Sequence, residues 1–194
     1  MCDTSAVEAS DLIEVDLGPR ARGYFTTRGL RALPVSAPGG GAQDRGAERE
    51  GGASYDGWNL ALHVGDDPQR VQCHRRQLEE LLGLEQGRHL AWMNQVHSAV
   101  VATAQAGEVP TADALVLDSR TGGAPAGCCV LVADCVPVLL ASGDGALTAA
   151  VHAGRRGMLD GVVPATIDSL RRGGVEPADL WAAVGPSICG SCYE

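Results

Sequence analysis

His97, Cys135 and His152 are the side chains in this sequence best suited to chemistry. Each lies in a short polar motif within apolar, strand-like sequence: Trp92-Met93-Asn94-Gln95-Val96-His97, Val132-Ala133-Asp134-Cys135 and Ala149-Ala150-Val151-His152-Ala153-Gly154. Two imidazoles and one thiolate are borderline-soft donors that suit zinc. Three protein ligands rather than four leave a coordination position for water or substrate, the pattern of a catalytic rather than a structural zinc. Taken singly, a histidine beside a strand is more often a core or surface residue. The three together carry the reading. Asp134 is costly to bury alone, so it either orients a ligand or closes an Asx turn ahead of Pro137.

The elements that must position these residues can be sketched from periodicity. Residues 12–17 alternate as an opening strand, with another near 23–27. Residues 36–57 hold seven glycines and Pro38 among charged residues without periodicity, and are expected to form a flexible glycine-rich insertion. Asp66-Asp67-Pro68 opens a helix whose apolar face is Val71, Leu78, Leu81 and Leu82, and Gly83 stops it. Strands are expected at 99–104, 114–117, 128–133 with 136–141, 147–152 and 180–184. A second helix follows Gly157 through Val163, Ile167 and Leu170, with Pro164 marking its start or a kink. Interleaved strands and helices predict an α/β (α+β) fold, a single-domain sandwich of mixed β-sheets flanked by helices. The three ligands then fall at strand ends, where a rigid sheet holds converging side chains to tight tolerances.

Composition limits the function classes. A chain of 194 residues is long enough for one domain with a real core. Charge is 15 − 24 = −9 with no basic run, which argues against nucleic acid, although local arginines can still hold a small anion. No stretch reads as a membrane span or a signal peptide. Seven cysteines with no secretory leader fit a reducing cytoplasm with free or metal-bound thiols. Cys189 and Cys192 form a CxxC, but without a second CxxC or a thioredoxin-like helix they read by default as loop cysteines.

Six motifs in order carry a resemblance: Asn59-Leu60-Ala61-Leu62-His63-Val64-Gly65-Asp66-Asp67, Asn94-Gln95-Val96-His97, Ala112-Asp113-Ala114-Leu115-Val116, Ala133-Asp134-Cys135-Val136-Pro137, Ala150-Val151-His152-Ala153-Gly154 and Gly185-Pro186-Ser187-Ile188. From about Tyr24 to Glu194 the chain closely resembles the YfiH-like, or laccase-domain, proteins, also known as purine nucleoside phosphorylase, polyphenol oxidase family or peptidoglycan editing factor proteins. The resemblance implies a compact α/β sandwich with one zinc on His97, Cys135 and His152. It implies phosphorolysis of adenosine, inosine and methylthioadenosine to base and sugar 1-phosphate, together with adenosine deamination. Zinc serves deamination by lowering the pKa of water, whereas phosphorolysis also needs donors for phosphate. Arg156 and Arg28 are the candidates for that task, with a solvated surface role as the alternative, and Cys135 and His152 are the other expected catalytic residues. Asn94 and Gln95 orient His97 or contact substrate, and His63 lines the pocket or anchors its loop. His74 and His89 read as surface residues. Gly154 and Gly157 allow a tight turn between strand and helix, leaving backbone donors for an anion.

Two departures from the family pattern stand out. Relatives read VHAGWRG, but Arg155 replaces the tryptophan here, removing a flat wall for a purine and placing a charge among the substrate-binding candidates. The chain also stops at Glu194, where relatives continue, so the domain is expected to lack its C-terminal end. Copper chemistry of the laccase kind is disfavoured, because five histidines without an HxH motif cannot supply several coppers. Two rival readings use the same residues. One is a cysteine hydrolase, with Cys135 as nucleophile and His152 as base, acting on an amino acid of a cell-wall precursor. The other is a non-catalytic zinc-binding member.

Overall fold

The computed structural model of the chain describes residues 8–27 and 57–192. Arg28 and nearly all of the expected glycine-rich insertion at 36–57 lie outside these residues. The chain groups into two compact units, residues 1–13 with 26–82 and residues 14–25 with 83–194. Among the described residues no helix is long and apolar enough to cross a membrane.

The first unit is built around α1 (Pro68–Leu81), which starts and stops where the sequence says it should. The Asp67 side chain accepts from Gln69 N at 2.9 Å and Pro68 occupies the first turn, where a missing N–H costs nothing. Val71, Cys73, Gln77 and Leu78 form its buried face. Cys73 is disulfide-bonded, which departs from the expectation of free or metal-bound thiols. The loop before the helix is fastened to it: His74 Nδ1 donates to Asn59 O at 2.8 Å and Arg75 Nε donates to Leu60 O at 2.9 Å. His74 is thus a half-buried loop anchor rather than a surface residue.

The second unit is a mixed five-stranded sheet in the order β4-β5-β8-β7-β9, comprising β4 (Val101–Thr103), β5 (Ala114–Asp118), β7 (Val136–Ser142), β8 (Leu147–Ala153) and β9 (Leu180–Val184). β4 runs parallel to β5, and the other pairings are antiparallel. Alternation along β5 divides the core. Ala114 and Val116 join Val138, Leu140, Val151, Val162 and Leu170 on one face, while Leu115 and Leu117 join Ala91, Met93 and Ala112 on the other. Helix α3 (Val162–Arg172) covers the first face through Val162, Thr166 and Leu170, one helical turn apart and all fully buried. Burying Leu170 alone contributes about 1.5–3 kcal/mol. A two-stranded parallel pair, β3 (Leu90–Ala91) with β6 (Gly127–Cys128), accompanies the second face. The β1 (Leu12–Asp16) and β2 (Arg22–Thr26) strands form a separate two-stranded sheet. A Cβ on Gly18 would come within 2.9 Å of the Trp181 ring, and one on Gly185 within 2.4 Å of Phe25, so these glycines let the 14–25 segment lie close against β9.

The α/β expectation therefore holds, with local corrections. The apolar run 128–133 is not a strand beyond Cys128. At Leu131 the backbone is satisfied instead by a side chain, since Gln95 Nε2 donates to Leu131 O at 2.7 Å and Gln95 Oε1 accepts from Leu131 N at 2.8 Å. Helix begins at Arg155 rather than after Gly157: α2 (Arg155–Asp160) ends at Gly161, whose φ of 89° separates it from α3. Pro164 sits in the first turn of α3 and causes no break. Gly157 lies inside α2, not in a turn, and its missing side chain lets the helix approach the His97 loop, since a Cβ there would meet Ser98 O at 2.7 Å.

Candidate metal centre

Strand register brings the site together. Antiparallel β7 and β8 pair Val136 with Ala153, so Cys135, immediately before β7, stands beside Gly154, immediately after β8. Antiparallel β5 and β8 pair Ala114 with Val151, which sets Asp113 beside His152, and His152 N donates to Asp113 O at 2.7 Å. His97 arrives on the loop between β3 and β4. The Nδ1 or Nε2 atoms of His97 and His152 and the Cys135 Sγ all lie within 4.8 Å of one another. The two imidazoles stand edge-on, with centroids 4.7 Å apart and planes at 77°. Gly154 forms the floor, where a Cβ would approach His97 Cδ2 to 2.9 Å and Cys135 Sγ to 3.2 Å. His152 is buried, Cys135 half-buried and His97 exposed, so the cluster is closed below and open on the His97 side. Two nitrogens and a sulfur converging over a side-chain-free floor fit a metal of zinc's preferences, with room for a fourth ligand.

Asp113 holds this arrangement. Its carboxylate is fully buried and accepts from His97 N at 2.9 Å, Ser98 N at 2.6 Å, Ser98 Oγ at 2.7 Å and His152 Nδ1 at 2.8 Å. Burial alone would raise its pKa, but the hydrogen bonds from His152, Ser98 and His97 outweigh that and hold it below the ordinary carboxylate value. Because a carboxylate only accepts, the His152 proton sits on Nδ1 and the Nε2 lone pair remains available to the cluster. The same carboxylate offsets the cost of His97, whose φ of 60° is a left-handed conformation worth about 1–3 kcal/mol for a residue with a Cβ. The Cys135 Sγ lies 3.9 Å from His97 Nε2. Burial first, and then the charges of Asp134 and Asp113, push its thiol pKa up.

The remaining expected site residues divide. Gln95 clamps the 131 backbone, tying the His97 loop to the segment that leads into Cys135. Asn94 Nδ2 donates to Thr111 Oγ1 at 3.3 Å beside a backbone bridge between the two residues. Both side-chain amides are thus engaged in scaffolding. Arg155 and Arg156 are exposed on the first turn of α2, with Arg156 Nε 3.6 Å from Asp160. His63 is exposed on the loop preceding α1, in the first unit. Sequence reasoning missed Asp113 and Ser98. The available signal was a charged residue inside the apolar run Ala112-Asp113-Ala114-Leu115.

A mixed-sheet α/β unit with a His-Cys-His cluster at its strand ends defines the class. Residues 46–194 match the family described as multi-copper polyphenol oxidoreductase laccase, and the chain belongs to that family. The chain is 46% identical over 154 residues to a purine nucleoside phosphorylase of Streptomyces coelicolor, a match covering 76% of this chain and 62% of that protein. A crystal structure of a Neisseria meningitidis protein superposes with a TM-score of 0.69 at 33% identity, covering 93% of this chain and 64% of that one. That of the hypothetical protein YfiH from Bacillus licheniformis gives 0.62 at 27% identity, covering 74% and 57%. The YfiH-like resemblance is thereby borne out, and the chain spans less than two thirds of the length of these relatives.

Proposed function

We propose that this chain carries the active site of a zinc-dependent purine nucleoside phosphorylase, which cleaves adenosine, inosine or methylthioadenosine with phosphate to give base and sugar 1-phosphate. The observation that carries the proposal is the convergence of His97, Cys135 and His152 on one open position, under a carboxylate that fixes His152 in the ligating tautomer. Likeness to purine nucleoside phosphorylases supplies the substrate class.

When bound, zinc supplies Lewis acidity and lowers the pKa of nearby water, which also makes adenosine deamination accessible to the same site. The protein's own groups do the rest. Asp113 keeps the Nδ1 proton of His152 in place through turnover. Gly154 leaves the floor clear, and exposed His97 faces the side from which a nucleoside would enter. Arg155 and Arg156, directly after that floor, offer cationic donors to phosphate, and the long surface pair of Arg156 with Asp160 costs little to release. The substrates are small molecules, and the setting is cytoplasmic.

The cysteine-hydrolase reading gains Asp113 as a third member behind His152. It is disfavoured because burial and the neighbouring carboxylates push the Cys135 thiol up rather than down, against a metal-free thiolate nucleophile. The test is chromatographic product analysis of zinc-analysed protein with adenosine or inosine and phosphate, beside a Cys135→Ala control. Free base and ribose 1-phosphate, lost in the control, are expected. No product from folded, zinc-loaded protein would contradict the proposal and favour a non-catalytic member.

A further inference from the structure

The segment after β9 carries the Cys189-Gly190-Ser191-Cys192 motif, which the proposed phosphorylase chemistry does not use. It is tethered to the ligand-bearing strand: Gly185 N donates to Pro137 O at 3.0 Å and Ile188 N donates to Asp134 O at 3.0 Å. Beyond these tethers the chain turns, with Cys192 N donating to Cys189 O at 3.0 Å. The turn folds both thiols onto one side, where Cys189 Sγ lies 3.0 Å from Cys192 Sγ and 3.1 Å from Ser191 Oγ. Both cysteines are exposed, and a Cβ on Gly190 would meet no atom within 4 Å, so a small reagent can reach the pair. Hydrogen bonds from Ser191 and Cys192 to the Cys189 sulfur stabilise its thiolate and bring its pKa down to about 7. Burial, by contrast, pushes the Cys128 thiol up to about 11.

We propose that Cys189 and Cys192 form a thiol–disulfide exchange site that reacts with low-molecular-weight disulfides, with Cys189 attacking and Cys192 resolving. The Cys189 thiolate attacks one sulfur of the small disulfide RSSR. The S–S bond of the reagent breaks, a Cys189–S–S–R bond forms, and RS⁻ leaves and takes up a proton. Cys192 then gives its proton to solvent and attacks Cys189 Sγ. This forms the Cys189–Cys192 disulfide and releases the second RS⁻, which is protonated in turn. Two protein thiols are oxidised, one small disulfide is reduced to two thiols, and no further reactant is needed. The attacking role falls to Cys189 because an attacking thiol works best with a pKa near ambient pH. Ring closure is available because the two sulfurs already touch across the turn. The sequence alone offered only the CxxC spacing; the turn and the Ser191 contact supply what it lacked.

The experiment equilibrates the full chain with mixtures of reduced and oxidised glutathione, quenches in acid, and maps cysteine peptides by mass. The proposal expects a Cys189–Cys192 disulfide while Cys128, Cys129 and Cys135 remain thiols. Cys192→Ser should accumulate a glutathione adduct on Cys189, and Cys189→Ser should slow reaction at this segment by about 10-fold. Absence of the Cys189–Cys192 disulfide at every ratio would overturn the site. A Cys189→Ser variant that reacts at Cys192 as fast as the parent does at Cys189 would overturn the assignment of the attacking thiol.

Discussion

In the first unit, Asp66 accepts from Asn59 Nδ2 at 2.8 Å and from Asp67 N at 2.7 Å and pairs with Arg70; in the second, Asp113 accepts from the backbone of His97 and Ser98 and from the ring of His152. Both carboxylates are buried, both gather a loop, and both have their pKa lowered by those hydrogen bonds against the effect of burial. They differ in what their partners have left. Asn59 Nδ2 donates also to Ala61 O, and its Oδ1 accepts from Ala61 N, so the Asp66 cluster closes on itself. His152 gives one nitrogen to Asp113 and keeps the other for the position shared with His97 and Cys135. A buried carboxylate thus makes a fold device or a functional device according to whether its partner has a second face.

Losing the Asp113 charge should disturb the molecule most. Asp113→Asn keeps the shape but removes the charge that fixes the His152 tautomer, and zinc affinity should fall about 10- to 100-fold in competition with a chelator. Unchanged affinity would remove the distinction between the two aspartates. Asp66→Ala should cost about 1–3 kcal/mol in denaturant unfolding, through stranded partners, and leave zinc affinity alone. Its pH dependence has a fixed sign. A carboxyl depressed in the folded state contributes stability that is full above its unfolded value near 3.8 and is lost as pH falls through the folded value. The parent should therefore lose stability in acid more steeply than Asp66→Asn does, as read from unfolding midpoints between pH 5 and pH 2.

Without touching Asp113, Gly154→Ala alters the floor of the cluster. Its φ of −68° suits alanine, so any loss comes from the Cβ pressing on His97 and Cys135. We expect about 1–2 kcal/mol of weakened metal binding with a near-parental thermal midpoint. Arg156→Ala should change stability by less than about 0.5 kcal/mol, because its pair with Asp160 is exposed. A rise in the KM for phosphate at constant nucleoside would assign it to the anion.

The convergence of His97, Cys135 and His152 was legible because His and Cys are chemically specific, and each interrupts an apolar run. Helix α1 was legible because its cap, its proline and its terminal glycine are all local signals. Asp113 was not, although its motif was in view, because its partner His152 lies 39 residues away and meets it only through the β5–β8 register. The run after Cys128 misled for a related reason. Its apolar residues suggest a strand, but after Cys129 N donates to Ala91 O of β3 the backbone at Leu131 finds the Gln95 side chain 36 residues away. The break between α2 and α3 had a local signal in Gly161, whereas the helical start at Arg155 had none beyond Gly154.

Cobalt substitution tests the metal centre most directly. Protein refolded or exchanged with Co(II) should bind one equivalent and show a thiolate-to-cobalt charge-transfer band with tetrahedral d–d intensity. The band should vanish in Cys135→Ser, and His152→Ala should lose the metal. A folded protein that binds no stoichiometric metal, or a band that survives Cys135→Ser, would contradict the assignment of His97, Cys135 and His152.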